Sequence, residues 1–135
     1  LWDRLAAFLA GAGVTVARED TGAANGVYYP LRRHIAVHPR LAGDQAAKTL
    51  AHEAAHHLAA HGGGVGRADA ETVAEGAAYV VLQHFGLDAG GYTFPYVARW
   101  AADRAVLARN LEAIRAAASA LIVALEDASA EQVAA

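Results

Sequence analysis

The sequence predicts an α+β domain, mainly helical with a small antiparallel sheet. Three observations carry that expectation. Apolar residues recur at helical spacing over four stretches. Three short runs rich in β-branched or aromatic residues are separated by turn signals. The chain is 56% hydrophobic with Ala the commonest residue, which suits helices that pack closely with modest buried area per residue. Its 135 residues suffice for one domain with a single core.

The elements follow from the punctuation. Leu1, Leu5, Phe8 and Leu9 repeat at helical spacing, so a first amphipathic helix covers Trp2–Ala10 and stops at Gly11-Ala12-Gly13. Asp3 and Arg4 interrupt that segment and argue against a signal-peptide core. Val14–Ala17 is the first strand. Asn25-Gly26 marks a turn before Val27–Tyr29, and His34–Val37 follows as a second arm around Pro30–Arg33, forming a hairpin. Asp44 is a natural N-cap for the next helix, and Gly62–Gly64 end it. Another helix spans Ala68–Phe85 and stops at Gly86. Gly90–Pro95 connect to a last helix over Tyr96–Asp127, with a frayed tail from about residue 128. The sequence has no Met, so the expectation is one domain over 1–135, excised or processed from a longer protein.

His52-Glu53-Ala54-Ala55-His56 is the stretch that carries chemistry. On a helix, residues four apart share a face, so His52 and His56 can hold one metal ion between them. Glu53 is rotated by about 100° from His52 and can reach water at that metal without being a ligand. This is the HExxH arrangement, in which two neutral imidazoles bind Zn²⁺ and the carboxylate takes a proton from water. The plain alternative makes His52 and His56 partly buried helix residues bonded elsewhere, with Glu53 solvated. Against it, polar groups turned inward on an Ala- and Leu-rich helix need a partner, and four of the seven His crowd this segment. His57 and His61 fit the polar face and the helix end.

The following helix offers a third ligand. Glu71, Glu75 and Tyr79 line one face, while Ala78, Val81, Leu82 and Phe85 form the opposite, core-facing side. One Glu completes a His₂Glu site with an open fourth position. The other accepts the free ring N–H of a ligand His and fixes its tautomer. Glu71 is favoured as ligand and Glu75 as its supporting acceptor; the reverse stays open, and Asp69 is more remote.

Other classes are bounded by composition. A formal net charge of −3 leaves no basic stripe for nucleic acid. The absence of Cys rules out disulfides and thiolate ligands and fits a cytoplasmic protein. No apolar run is long enough to span a bilayer.

Lys48-Thr49-Leu50-Ala51-His52-Glu53-x-x-His56, Glu71-x-x-Ala74-Glu75-x-x-Ala78-Tyr79, Phe85-Gly86-Leu87-Asp88 and Tyr92-Thr93-Phe94-Pro95-Tyr96-Val97-x-x-Trp100 occur in that order. The series resembles ImmA/IrrE-type zinc metallopeptidases, and most of all the metallopeptidase-like domain of ArdC-type antirestriction proteins. The resemblance covers about Gly26 to Glu126. It implies a zincin-like fold, with His52, His56 and Glu71 on the metal and Glu53 in catalysis. The pattern departs at Ala54-Ala55, where such proteins often carry a bulkier residue first. It departs again in lacking the single-stranded-DNA-binding domain that precedes the peptidase-like domain in ArdC-type proteins. Direct nucleic acid binding is therefore not expected of this fragment, although its parent protein could carry such a domain.

The leading expectation is a zinc-dependent peptide-bond hydrolase acting on an intracellular protein substrate. Tyr79, Tyr92, Tyr96, His84 and Arg99 are candidates for stabilising an oxyanion. The first rival is a catalytically silent, metal-containing interaction module beside a DNA-binding antirestriction domain. The second, a helical adaptor without metal, leaves the grouping of His52, His56, Glu71 and Glu75 unexplained.

Overall fold

The computed structural model describes residues 1–59, 66–87 and 104–134, with 128–134 by backbone alone. The order is α1 (Trp2–Gly11), β1 (Thr15–Arg18), β2 (Gly26–Tyr29), β3 (His34–Val37), α2 (Gly43–Ala59), α3 (Arg67–His84) and α4 (Arg104–Ala134). The α+β class holds. The expected Gly62–Gly64 helix end, the Gly90–Pro95 connector and the start of the last helix lie outside the described residues.

The sheet is mixed rather than wholly antiparallel, with strand order β1-β3-β2. β2 and β3 form the expected hairpin, pairing Tyr29 with His34 and Gly26 with Val37. A turn as short as Pro30–Arg33 can join only antiparallel neighbours. β1 lies parallel to β3, pairing Thr15 with His34 and Arg18 with Val37. Burial explains the order. All four residues of β3 are buried, so this strand takes the centre, while β1 and β2 remain part-exposed edges. The turn ends at Arg33, whose φ of 47° is unusual for a residue with a side chain. Its guanidinium donates to the carbonyls of Ala12 (2.6 Å) and Gly13 (3.3 Å), tying the hairpin to the end of α1.

Leu5 and Leu9 of α1 are fully buried, as their spacing predicts. α3 ends where expected: Gly86 takes φ 75°, and Leu87 N–H donates back to Leu82 C=O at 2.9 Å. That left-handed residue and six-to-one bond satisfy carbonyls that the helix leaves open. α2 begins at Gly43, two residues before the start that an Asp44 cap implies, so Asp44 lies in its first turn with its charge near the positive helix end. α4 runs on to Ala134, beyond the expected Asp127 end. Its last stretch has no Gly or Pro and is made largely of helix formers.

One core joins all the layers. Leu5, Leu9, Ile35, Val37, Leu50, Val81, Leu82, Leu121 and Leu125 are buried together with Ala46, Ala51, Ala54, Ala55, Ala74, Ala77 and Ala78. Each buried Leu, Ile or Val contributes about 1.5–3 kcal/mol, offset in the fold as a whole by chain entropy. The alanines have another effect: with so little side chain between them, α2 and α3 lie close. Gly76 extends this toward α4, since a Cβ there would meet Ile114 Cδ1 at 2.8 Å.

Candidate metal centre

α2 and α3 run side by side in opposite directions and present two complementary rows. Lys48, His52 and His56 form one row at four-residue spacing, and Glu71 and Glu75 form the other. The rows interlock. His52 Nδ1 lies 2.6 Å from Glu75 Oε2, and His52 Nε2 lies 3.2 Å from Glu71 Oε2. His56 Nε2 lies 3.2 Å from Glu71 Oε1 and 3.2 Å from His52 Nε2. Lys48 Nζ closes the far end, 2.7 Å from Glu75 Oε1.

His52, His56 and Glu71 each bring one ligand atom into a group within 4.8 Å. With its Nδ1–H donated to Glu75, a neutral His52 turns a lone pair at Nε2 toward His56 Nε2 and a carboxylate. Such a convergence of ligand atoms can hold a cation. Two imidazole nitrogens, one carboxylate and no thiolate suit zinc, with a fourth position left open. Glu75 is nearly inaccessible and holds the outer nitrogen of His52, whereas Glu71 faces both inner nitrogens. Glu71, with His52 and His56, is thus the carboxylate of the candidate ligand group.

The protonation of the metal-free cluster follows the same logic. Burial works against a charged His52, but hydrogen bonds to Glu71 and Glu75 and the nearby Glu53 overcome it. The imidazole is pushed up to about 9. The hydrogen bonds with His52 and His56 hold Glu71 far below the usual carboxylate range. Burial opposes ionisation of Glu75, yet His52 and Lys48 prevail and lower its pKa. Glu53 goes the other way: burial raises it, with the positive charges of His52 and His56 in opposition.

Glu53 is 7% exposed and sits between α2 and the sheet. β2 comes very close there. A Cβ on Gly26 would lie 2.6 Å from Thr49 Cγ2 and 3.2 Å from Glu53 Cγ, so only Gly lets the strand pass. His57 turns away from the cluster: its Nδ1 meets the Tyr28 hydroxyl at 2.9 Å. Asp69 is engaged by Arg109 (2.7 Å) and Asn110 (2.6 Å) on α4. His84 binds Glu126 at 2.6 Å, and nine residues of helix, about 13 Å, separate it from Glu75. Tyr79 is exposed on the glutamate face of α3. His61, Tyr92, Phe94, Tyr96 and Arg99 lie outside the described residues. The sequence reading gives Lys48 no role, although its place one turn before His52 is visible in the spacing. Gly26 reads from sequence only as part of a turn.

No helix among the described residues is long and apolar enough to cross a membrane. No curated protein and no solved structure matches the chain. A family model does: the peptidase M78 model, described as an IrrE N-terminal-like domain, matches residues 10–132. That stretch takes in both helices of the cluster, the sheet and most of α4, so the chain belongs to the peptidase M78, IrrE N-terminal-like family.

Proposed function

We propose that this chain is a zinc-dependent peptide-bond hydrolase acting on an intracellular protein substrate in the cytoplasm. One observation carries the reading: His52, His56 and Glu71 converge within 4.8 Å, and Glu53 follows His52 on the same helix. His52, His56 and Glu71 would hold the metal. A zinc ion there supplies Lewis acidity, lowering the pKa of water toward about 7 and polarising a carbonyl. Glu53 is the proton carrier. It accepts the proton of the attacking water and delivers it to the leaving amine. Its raised pKa suits the first half of that exchange, because a more basic carboxylate takes the proton from water more readily. Glu75 keeps the Nδ1 proton of His52 in place, so that Nε2 is presented inward.

The ordered motifs around His52 and Glu71 further support kinship with the metallopeptidase-like domain of ArdC-type antirestriction proteins. In that setting a DNA-binding domain would belong to the parent protein and not to these residues.

Two measurements test the proposal. Protein purified without added metal should carry one zinc per chain by elemental analysis. Wild type incubated with candidate protein partners should generate new peptide termini by mass spectrometry, and Glu53→Gln should not. Zinc bound with no cleavage in either sample would replace the hydrolase by a metal-containing interaction module.

A further inference from the structure

Lys48 lies one turn before His52 and points the same way, toward α3. Its side chain is only 15% exposed, and its ammonium sits 2.7 Å from Oε1 of Glu75, whose side chain is 3% exposed. The contact is an ion pair rather than an in-line hydrogen bond. The other oxygen of the same carboxylate, Oε2, meets His52 Nδ1 at 2.6 Å. Glu75 is thus gripped at both oxygens, by a cation from one turn and an imidazole from the next.

A carboxylate held at one oxygen can turn about its last bond and swing the other out of line. A second anchor removes that freedom. A lysine is also costly to bury, and few structural needs place one beside an alanine-rich helix contact. We propose that Lys48 is a positioning residue for the metal site, acting through Glu75 to hold the His52 ring with Nε2 toward the metal. The inference rests on the zinc-site reading above. It adds a third member to the line Lys48–Glu75–His52, at a residue outside the candidate ligand group.

The test is a double-mutant cycle on zinc affinity, measured by competition with a chromophoric chelator. Lys48→Met should weaken zinc binding by about tenfold in the wild-type background, the low end of effects seen for groups that orient a ligand. In a Glu75→Ala background the same change should cost less than about twofold, because the link through which Lys48 acts is already gone. On Lys48→Met, nitrogen chemical shifts of His52 in the metal-free protein, read at a pH high enough to leave the ring neutral, should move from a single Nδ1–H form toward mixed tautomers. Should Lys48→Met fail to fold, Lys48→Gln keeps a donor without the charge and serves in its place. Equal losses in both backgrounds, or unchanged affinity in the first, would overturn the role of Lys48 while leaving the zinc site intact. Wild-type protein that binds no zinc would overturn both.

Discussion

Zinc bound at the proposed site would displace a proton from His52, and the acids packed around that ring hold the proton firmly. In the metal-free cluster His52 is pushed up to about 9. At pH 7, two units lower, roughly 99% of molecules carry the extra proton. Its removal costs about 100-fold in apparent affinity relative to a site already deprotonated. Zinc affinity should therefore rise about tenfold per pH unit from pH 7 to about 9, then level off. The metal-free fold should respond oppositely. A group whose folded pKa exceeds its unfolded value of 6.5 adds stability below 6.5 and loses it as pH climbs through about 9. Calorimetric zinc titrations at pH 7 in two buffers of different ionisation enthalpy should show about one proton released by His52. Affinity independent of pH between 7 and 9, with no buffer dependence of the heat, would refute the assignment of His52 as a ligand carrying that proton.

Four further outcomes follow from the same geometry. Glu71→Ala should abolish most zinc binding, whereas Glu75→Ala should weaken it by about 10–100-fold; titration of both variants checks this, and the reverse order would exchange their roles. Glu53→Gln should retain zinc and fold normally while turnover drops by at least about 100-fold, read by cleavage of a protein substrate. Gly26→Ala should disturb Glu53 through the 2.6 Å and 3.2 Å approaches to Thr49 and Glu53, lowering turnover more than zinc affinity. Gly76→Ala should lower the melting temperature, because crowding against Ile114 at 2.8 Å costs about 1–3 kcal/mol and outweighs the helix gain of about 1 kcal/mol. Trimming Ile114 to Val in the same chain should recover part of that loss.

Much of the site was legible because helical spacing is local. The four-residue intervals His52–His56 and Glu71–Glu75 are visible in the sequence, and the structure brings the two faces together. Strand existence was legible for the same reason, from β-branched runs and the Asn25-Gly26 turn. Pairing was not. That β1 inserts beside β3 in parallel depends on contacts between residues about nineteen apart, which no local preference encodes. Lys48 was equally hidden, since a lysine on an amphipathic helix ordinarily belongs to solvent, and only the neighbouring helix reveals its acid. Gly26 and Gly76 owe their importance to atoms of other elements, Thr49 and Ile114, that a one-dimensional reading cannot bring near.

The facing rows of α2 and α3 have one more consequence, which concerns how the helices find their alignment. Because both rows repeat every four residues, sliding α3 by one turn would still put acids opposite bases. A slide in one direction brings Arg67 against His52, two cations face to face. A slide in the other strands Lys48 opposite Tyr79 and Gln83, with no carboxylate in reach. Only the observed alignment gives every base an acid, and it is also the one that seats Gly76 beneath Ile114. The charges that would serve a metal thus also act as a vernier, rejecting near-miss arrangements of two smooth, alanine-lined helices that shape alone would discriminate weakly.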